Sequence, residues 1–177
     1  MTSKKTIRSM LTGGDRRSIG RTEETVDLVR GRPKKAGALV ECLWDDDECV
    51  RMRAADAIEK LSRERADLVQ PYKTALVGLL AEATQKELRW HVAVVVPRLR
   101  LTPAECQQCA EALQKYLDDR SSIVKTFAMQ GLYDLTRQHA GLGATVIELI
   151  RSLTRSGTPA MRARGRILLK QLEQSES

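Results

Sequence analysis

Four cysteines, two histidines and an acidic triplet are the residues of this chain whose types invite a chemical reading. Cys106 and Cys109 stand in a C-x-x-C arrangement, the spacing of a redox dithiol or of half a zinc site, but no second C-x-x-C and no histidine pair lies at metal-finger spacing. Both cysteines fall inside one helical stretch, Pro103 to Asp118, where reduced core thiols are the expectation. His91 and His139 stand alone, neither with an obvious carboxylate partner in the sequence. Asp45, Asp46 and Asp47 carry the charge a hard cation would need, yet they sit just ahead of a helical pattern, where acids cap a helix and suit its N-terminal dipole. Nucleophile-elbow, phosphate-loop, zinc-protease and dinucleotide-binding motifs are all missing. The sequence therefore implies no catalytic residue, no metal and no cofactor.

The arginines and lysines point to binding instead. The formal charge of +7 is unevenly placed over the 177 residues. Residues 1–38 hold ten bases against four acids, and residues 149–172 hold six bases (Arg151, Arg155, Arg162, Arg164, Arg166 and Lys170) and no acid. Basic poles attract nucleic acid, membrane surfaces or acidic proteins, or they simply solvate two ends of an elongated molecule. No membrane partner is expected, because the apolar run Val92 to Val96 ends at Pro97, far short of the roughly 20 residues a spanning helix needs. Lys4, Lys5 and Arg8 are followed by Gly13 and Gly14 rather than by the apolar stretch of a secretory leader, so a cytoplasmic protein is expected.

What must position these residues is an internal repeat. Val50-Arg51-x-x-Ala54-Ala55-x-Ala57-Ile58-x-x-Leu61 recurs after 38 residues as Leu88-Arg89-x-x-Val92-Ala93-x-Val95-Val96-x-x-Leu99. A third copy follows after 36 residues, from Val124 to Leu135, and a fourth after 37, from Met161 to Leu172. Each places apolar residues at offsets 0, 4, 7, 8 and 11, the buried stripe of an amphipathic helix. Another helical stretch precedes each copy: Pro33 to Leu43, Pro71 to Glu82, Pro103 to Asp118, and Ala144 to Arg155. Proline suits a first-turn position, where its missing N–H is not needed, and Thr102 is placed to cap. Each unit is thus an antiparallel helical hairpin that cannot bury both faces alone, and stacking solves this. Small residues at offset 4 (Ala54, Val92, Ala128, Gly165) allow close approach, and with only six aromatic residues the core must be aliphatic.

These residues resemble the HEAT repeats, whose second helix carries an apolar-Arg-x-x-Ala-Ala-x-Ala-Leu-x-x-Leu signature after an Asp-containing turn. Asp45 to Leu61 looks like a near-consensus copy. The resemblance implies an all-α solenoid, an armadillo-like superhelix of about four repeats (33–64, 71–101, 102–139 and 143–174). An N-terminal basic cap (1–32) and a short tail (175–177) flank the array. The cap is expected to hold a helix near Lys4 to Leu11, a Gly13-Gly14 break and a helix near Thr22 to Arg30. The resemblance further implies that Arg51, Arg89, Lys125 and Arg162 form a ladder bridging turn acids such as Asp45 and Asp119, interrupted where Ala83 and Ser156 occupy the turn. The whole chain also resembles small bacterial HEAT-repeat proteins that carry a Gly-Gly-Asp-Arg-Arg-Ser-Ile-Gly-Arg segment, here Gly13 to Arg21. That group has no established activity, so it speaks for the fold.

In such a solenoid the second helices line the concave face, and offsets 2, 3, 6, 9 and 13 are expected to face the groove. The stripe is Met52, Arg53, Asp56, Glu59 and Arg63, then Trp90, His91, Val94, Pro97 and Leu101, then Thr126, Phe127, Gln130, Tyr133 and Arg137. An accessible aromatic patch flanked by bases is the composition of a binding hot spot. Trp90, His91, Val94, Tyr133, Arg53 and Arg137 are therefore the candidate contacts of a monomeric scaffold for a protein partner. The competing expectation is that the helix around Val92 to Val96 is buried all round. Pro97 is expected to kink that helix near its end. The alternative function is duplex nucleic-acid binding through Arg16, Arg17, Arg21, Arg162, Arg164 and Arg166. HEAT-like DNA glycosylases use Trp and Asp in a cationic groove, and Trp44 with Asp45, or Trp90, are the residues of that type here, without a residue-by-residue match to the glycosylase motif. For bilin-attaching lyases of the same architecture the likeness is of repeats alone.

Overall fold

A computed structural model describes residues 3–13 and 20–175, and every regular element among them is helical. The chain divides into two compact units, residues 1–76 and 77–177. The first contains α1 (Ser3–Leu11), α2 (Thr22–Gly31), α3 (Ala36–Glu41) and α4 (Glu48–Val69). Helix α5 (Lys73–Glu82) runs across the division, and the second unit continues with α6 (Lys86–Val95), α7 (Pro103–Tyr116), α8 (Ser122–Thr136), α9 (Gly143–Ser156) and α10 (Pro159–Ser175).

In the first unit α1 packs on α3, and α2 packs on α4. Helices α1 and α2 also contact each other, so they pair and stack on α3 and α4 as one layer on the next. Their apolar residues Ile7, Leu11, Val26 and Val29 are buried, as are Leu39, Leu43, Ala54, Ile58 and Leu61 of the repeat that follows. Ion pairs at one repeat length tie the two hairpins: Lys4 with Glu41, Arg8 with Asp45, and Lys60 with Glu23, each across 37 residues. Helix α4 starts on an Asp47 cap, whose Oδ1 accepts from the Cys49 N–H at 2.8 Å, so the acidic triplet supplies a helix cap. The helix breaks at Arg65 (φ −131°, ψ 53°), and a single 3-10 turn over Gln70–Tyr72 then leads into α5.

In the second unit α8 packs against α6, α7, α9 and α10, with Val92, Leu113, Val124, Met129, Leu132, Leu135 and Ile150 in the core. Helix α7 opens with a capping box: Thr102 Oγ1 accepts from the Glu105 N–H at 3.2 Å, and Glu105 Oε2 accepts from the Thr102 N–H at 2.7 Å. Pro103 occupies the first turn of that helix, whereas Pro33 and Pro71 lie in 3-10 turns ahead of α3 and α5. The stretch Pro33 to Leu43 is accordingly not one helix; a six-residue α-helix sits between two 3-10 turns. Pro97 ends its helix rather than kinking it: α6 stops at Val95 and a 3-10 turn covers Val96–Arg98. Gln138 secures that end by donating to the Pro97 carbonyl at 2.7 Å and accepting from the Leu101 N–H at 3.1 Å. The Tyr116 hydroxyl donates to the Leu80 carbonyl at 2.6 Å and Ser122 bonds Thr158 at 2.8 Å, both across 36 residues.

Ala54 and Ala128 are fully buried where neighbouring helices meet. Replacing either with leucine should overpack the seam and lower stability by about 1–3 kcal/mol. Chemical denaturation checks this, because a surface alanine would leave the midpoint unchanged.

Candidate binding face of the second helices

The chemistry-bearing residues resolve mainly into structural roles. Cys42, Cys106 and Cys109 are buried, and burial pushes the Cys42 thiol up to about 11 and the Cys109 thiol to about 12. Burial raises the Cys106 thiol as well, so in this fold both cysteines of the C-x-x-C pair are core thiols. Among the described residues no cluster of three His, Cys, Asp or Glu side chains forms a metal site. Asp45 is gripped by Arg8, whose Nε donates to Oδ2 at 2.7 Å and Nη2 to Oδ1 at 3.1 Å, and it also accepts from the Asp47 N–H at 3.0 Å. Arg8 was not singled out as a partner, because α1 lies outside the repeat register.

The ladder bases act mostly on backbone. Arg51 donates to the Asp45 carbonyl at 2.7 Å, and Arg89 donates to the Ala83 carbonyl at 2.7 Å, each six residues back. Arg89 also reaches the Asp119 carboxylate, and its guanidinium lies 5.3 Å from the centre of the Tyr116 ring. Arg162 is exposed.

The Arg8 guanidinium, together with the Asp47 N–H, holds the Asp45 carboxyl below its ordinary value of 3.8. Burial alone would raise Asp119, but the Ser121 N–H, the Arg89 guanidinium and the Lys125 charge outweigh it and hold this carboxyl low too. A depressed folded-state pKa gives stability that is present above the unfolded value and lost as pH falls through the folded one. Stability should therefore fall as pH drops below about 4. Asp45→Asn should flatten that slope, as measured by denaturant titration at a series of pH values; an unaltered slope would show that Arg8 does not hold this carboxylate.

The expected groove stripe is only partly accessible. Arg53, His91, Val94 and Tyr133 are 1%, 2%, 3% and 6% exposed, so all four are interior, whereas Trp90 is half-buried and Arg137 exposed. The physical reason is that a second helix is packed from more than one side, α8 by α6, α7, α9 and α10, which widens the buried arc and skews it. Offset 9 turns inward (Pro97, Tyr133), and the outward stripe in the second unit continues at offset 10 (Arg98, Asp134) instead. Those two residues were missed; in the third copy the i+3/i+4 spacing of Phe127, Gln130, Asp134 and Arg137 was a signal that reached Asp134, whereas in the second copy the same offsets begin with the buried His91 and Val94. Residues Val92 to Val96 are all buried, whereas the first half of α6 keeps Lys86 exposed and Trp90 half-buried. His91 Nδ1 donates to the Glu87 carbonyl at 2.6 Å while its ring lies on Trp90, 3.4 Å between centroids.

What remains on this face is a row across three helices. Trp90 of α6 meets Phe127 of α8 at 5.1 Å between ring centres, tilted by 31°. The Arg164 guanidinium of α10 lies 5.7 Å from the Phe127 ring centre and donates to Gln130 Oε1 at 3.0 Å. Gln130 in turn donates to Asp134 Oδ1 at 2.9 Å. Burial raises the Asp134 carboxyl above its ordinary value, against the opposing pull of Gln130 and of the charges on Arg98, Arg137 and Arg164.

The bases of the poles take different places. Arg16 and Arg17 lie outside the described residues. Arg21 is exposed and paired with Glu24 at 2.7 Å, Arg166 is exposed, and Arg164 belongs to the row just described. Among the described residues no helix is long and apolar enough to cross a membrane.

No family model and no curated protein sequence matches the chain. Solved structures do. An engineered protein aligns with a TM-score of 0.65 and 16% identity, over 97% of this chain and 79% of that one. The archaeal HEAT-like repeats protein of Thermococcus onnurineus NA1 aligns with a TM-score of 0.62 and 14% identity, over 93% of this chain but only 63% of the archaeal one. Computationally designed armadillo repeat proteins for modular peptide recognition align with a TM-score of 0.58 and 19% identity, over 92% and 71%. At these identities what is shared is the fold, an all-α repeat fold like that of HEAT-like and armadillo repeat proteins.

Proposed function

We propose that the chain is a non-catalytic scaffold that holds a peptide segment of a protein partner on the α6–α8–α10 face. The observation that carries this reading is the half-buried row of Trp90, Phe127 and Arg164, one side chain from each of three adjacent second helices. Trp and Arg dominate the energetics of protein contacts, and a row across repeats matches the way an extended or helical segment would lie. The likeness to designed peptide-recognition repeats supports the same reading. Of the candidate contacts, Trp90 and Arg137 stay on this face, while Arg53, His91, Val94 and Tyr133 act by supporting it or the neighbouring backbone.

Trp44→Phe leaves Trp90 as the sole tryptophan, and Trp44 is half exposed, so the change is mild. Peptides selected from a displayed random library on this protein should shift Trp90 emission. Phe127→Ala should weaken them about tenfold or more while leaving far-UV circular dichroism unchanged. Selected peptides that neither move Trp90 emission nor respond to Phe127→Ala would remove the reading. A preference for duplex DNA that collapses between about 50 and 200 mM salt would instead assign the chain to nucleic-acid binding.

A further inference from the structure

The face that carries the proposed scaffold function has a charge signature of its own. The carboxylate of Asp134 in α8 feels three guanidinium groups: Arg98 in the turn after α6, Arg137 at the end of α8, and Arg164 in α10. The Asp134–Gln130–Arg164 chain of hydrogen bonds holds Arg164 beside the Phe127 ring. Arg137 is exposed at the end of the row, and Arg98 and Arg164 are partly so. The row is therefore apolar at Trp90 and Phe127 and in excess of positive charge toward Arg98 and Arg137.

We propose that this face takes an acidic peptide segment, with one apolar side chain on Trp90 and Phe127 and flanking carboxylates at Arg137 and Arg164. This rests on the scaffold reading and adds the chemistry of the partner. Guanidinium groups receive carboxylates bidentately, and the aromatic shelf excludes water from one side of those contacts. Asp134 orients Gln130 and Arg164 through that chain of hydrogen bonds, at the cost of repelling the incoming acid. Relieving that repulsion should strengthen binding, which a merely structural Asp134 would not do.

The test uses the Trp44→Phe protein and fluorescein-labelled 12-residue peptides of three kinds. The first has a single Leu among Asp and Glu, the second has Asn and Gln in their place, and the third has the acids but no Leu. Anisotropy and Trp90 emission are read at about 50 and 150 mM salt. The acidic Leu peptide is expected to bind at least tenfold tighter than the amide peptide, to lose about fivefold with Arg137→Gln, and to gain about threefold with Asp134→Asn. Equal affinity of the acidic and amide peptides, with Trp90 emission responding to both, would overturn the acidic preference and leave the scaffold reading standing. No response of Trp90 to any peptide would overturn both. Equal binding of the acidic peptide without Leu, or competition by duplex DNA at matched charge, would make the face a general polyanion surface and end the proposal. Sedimentation that finds self-association abolished by Trp90→Ala would give the face to a second copy of the chain and also end it.

Discussion

Gly131→Ala should destabilise the second unit by about 2 kcal/mol, although alanine is by far the better helix former. A Cβ built on Gly131 runs into the carbonyl oxygen of Ala93 on α6, far inside van der Waals contact, and comes within 3.0 Å of Leu113 Cδ1. The obstacle is backbone of a packed helix, so it cannot swing aside as a flexible side chain would. Overpacking at the upper end of its range, about 3 kcal/mol, outweighs the roughly 1 kcal/mol that removing a helical glycine returns. Gly78 in α5 provides the contrast, since a Cβ there meets nothing within 4 Å. Gly78→Ala should raise stability by about 0.5–1 kcal/mol. Paired denaturation curves read both, and equal effects of the two substitutions would show that α6 and α8 do not approach as closely as they do here.

The second large effect concerns Arg53. Its guanidinium, buried against the first hairpin, donates to the Leu11 carbonyl at 2.8 Å and to the Gly13 carbonyl. Leu11 ends α1, so the positive charge satisfies a terminal carbonyl and complements the helix dipole. Gly20, at φ +57°, comes so close that a Cβ there would lie 3.1 Å from Arg53 Nε. Arg53→Met keeps the volume but leaves those buried acceptors without their charged donor, and should cost about 3 kcal/mol. Hydrogen exchange should speed up first in α1. Unchanged protection of α1 together with an unchanged unfolding midpoint would mean that the hairpin does not depend on this side chain. Arg53 is thus a groove candidate by its offset and a structural arginine by its contacts.

Much of the fold was legible because a repeat imposes the same physical requirement several times. The apolar columns at offsets 0, 4, 7, 8 and 11 recur at 36 to 38 residues, and in the structure Val50, Ala54, Ala57, Ile58 and Leu61 are all buried, as are Leu88, Val92, Val95, Val96 and Leu99. Periodicity of that kind depends only on helix geometry, which is local. The cap residues were legible for the same reason. Thr102 with Glu105, and Asp47 with Cys49, satisfy helix N-termini over three residues or fewer.

The accessible face was less legible, because accessibility is set by neighbours and not by a helix's own sequence. A rule that places the outward stripe opposite the apolar one assumes packing from a single direction, and α8 is packed by four other helices. Tyr133 and His91 looked like contacts on that rule and are buried, while Arg98 and Asp134 escaped it. The meeting of Trp90, Phe127 and Arg164 likewise spans three repeats, and residue spacing says nothing of distance between them.

By itself, then, the sequence determined the helical period, the hairpin unit, the small-residue seams and the excess of positive charge, all of which follow from residue types at short range. Only the tertiary structure decided that Arg8 pairs with Asp45, that Arg53 ties down α1, that Gly131 is where two backbones meet, and that one aromatic row lies among three arginines. These depend on how helices far apart in the chain are brought side by side, a result of the packing of whole elements that no local pattern encodes.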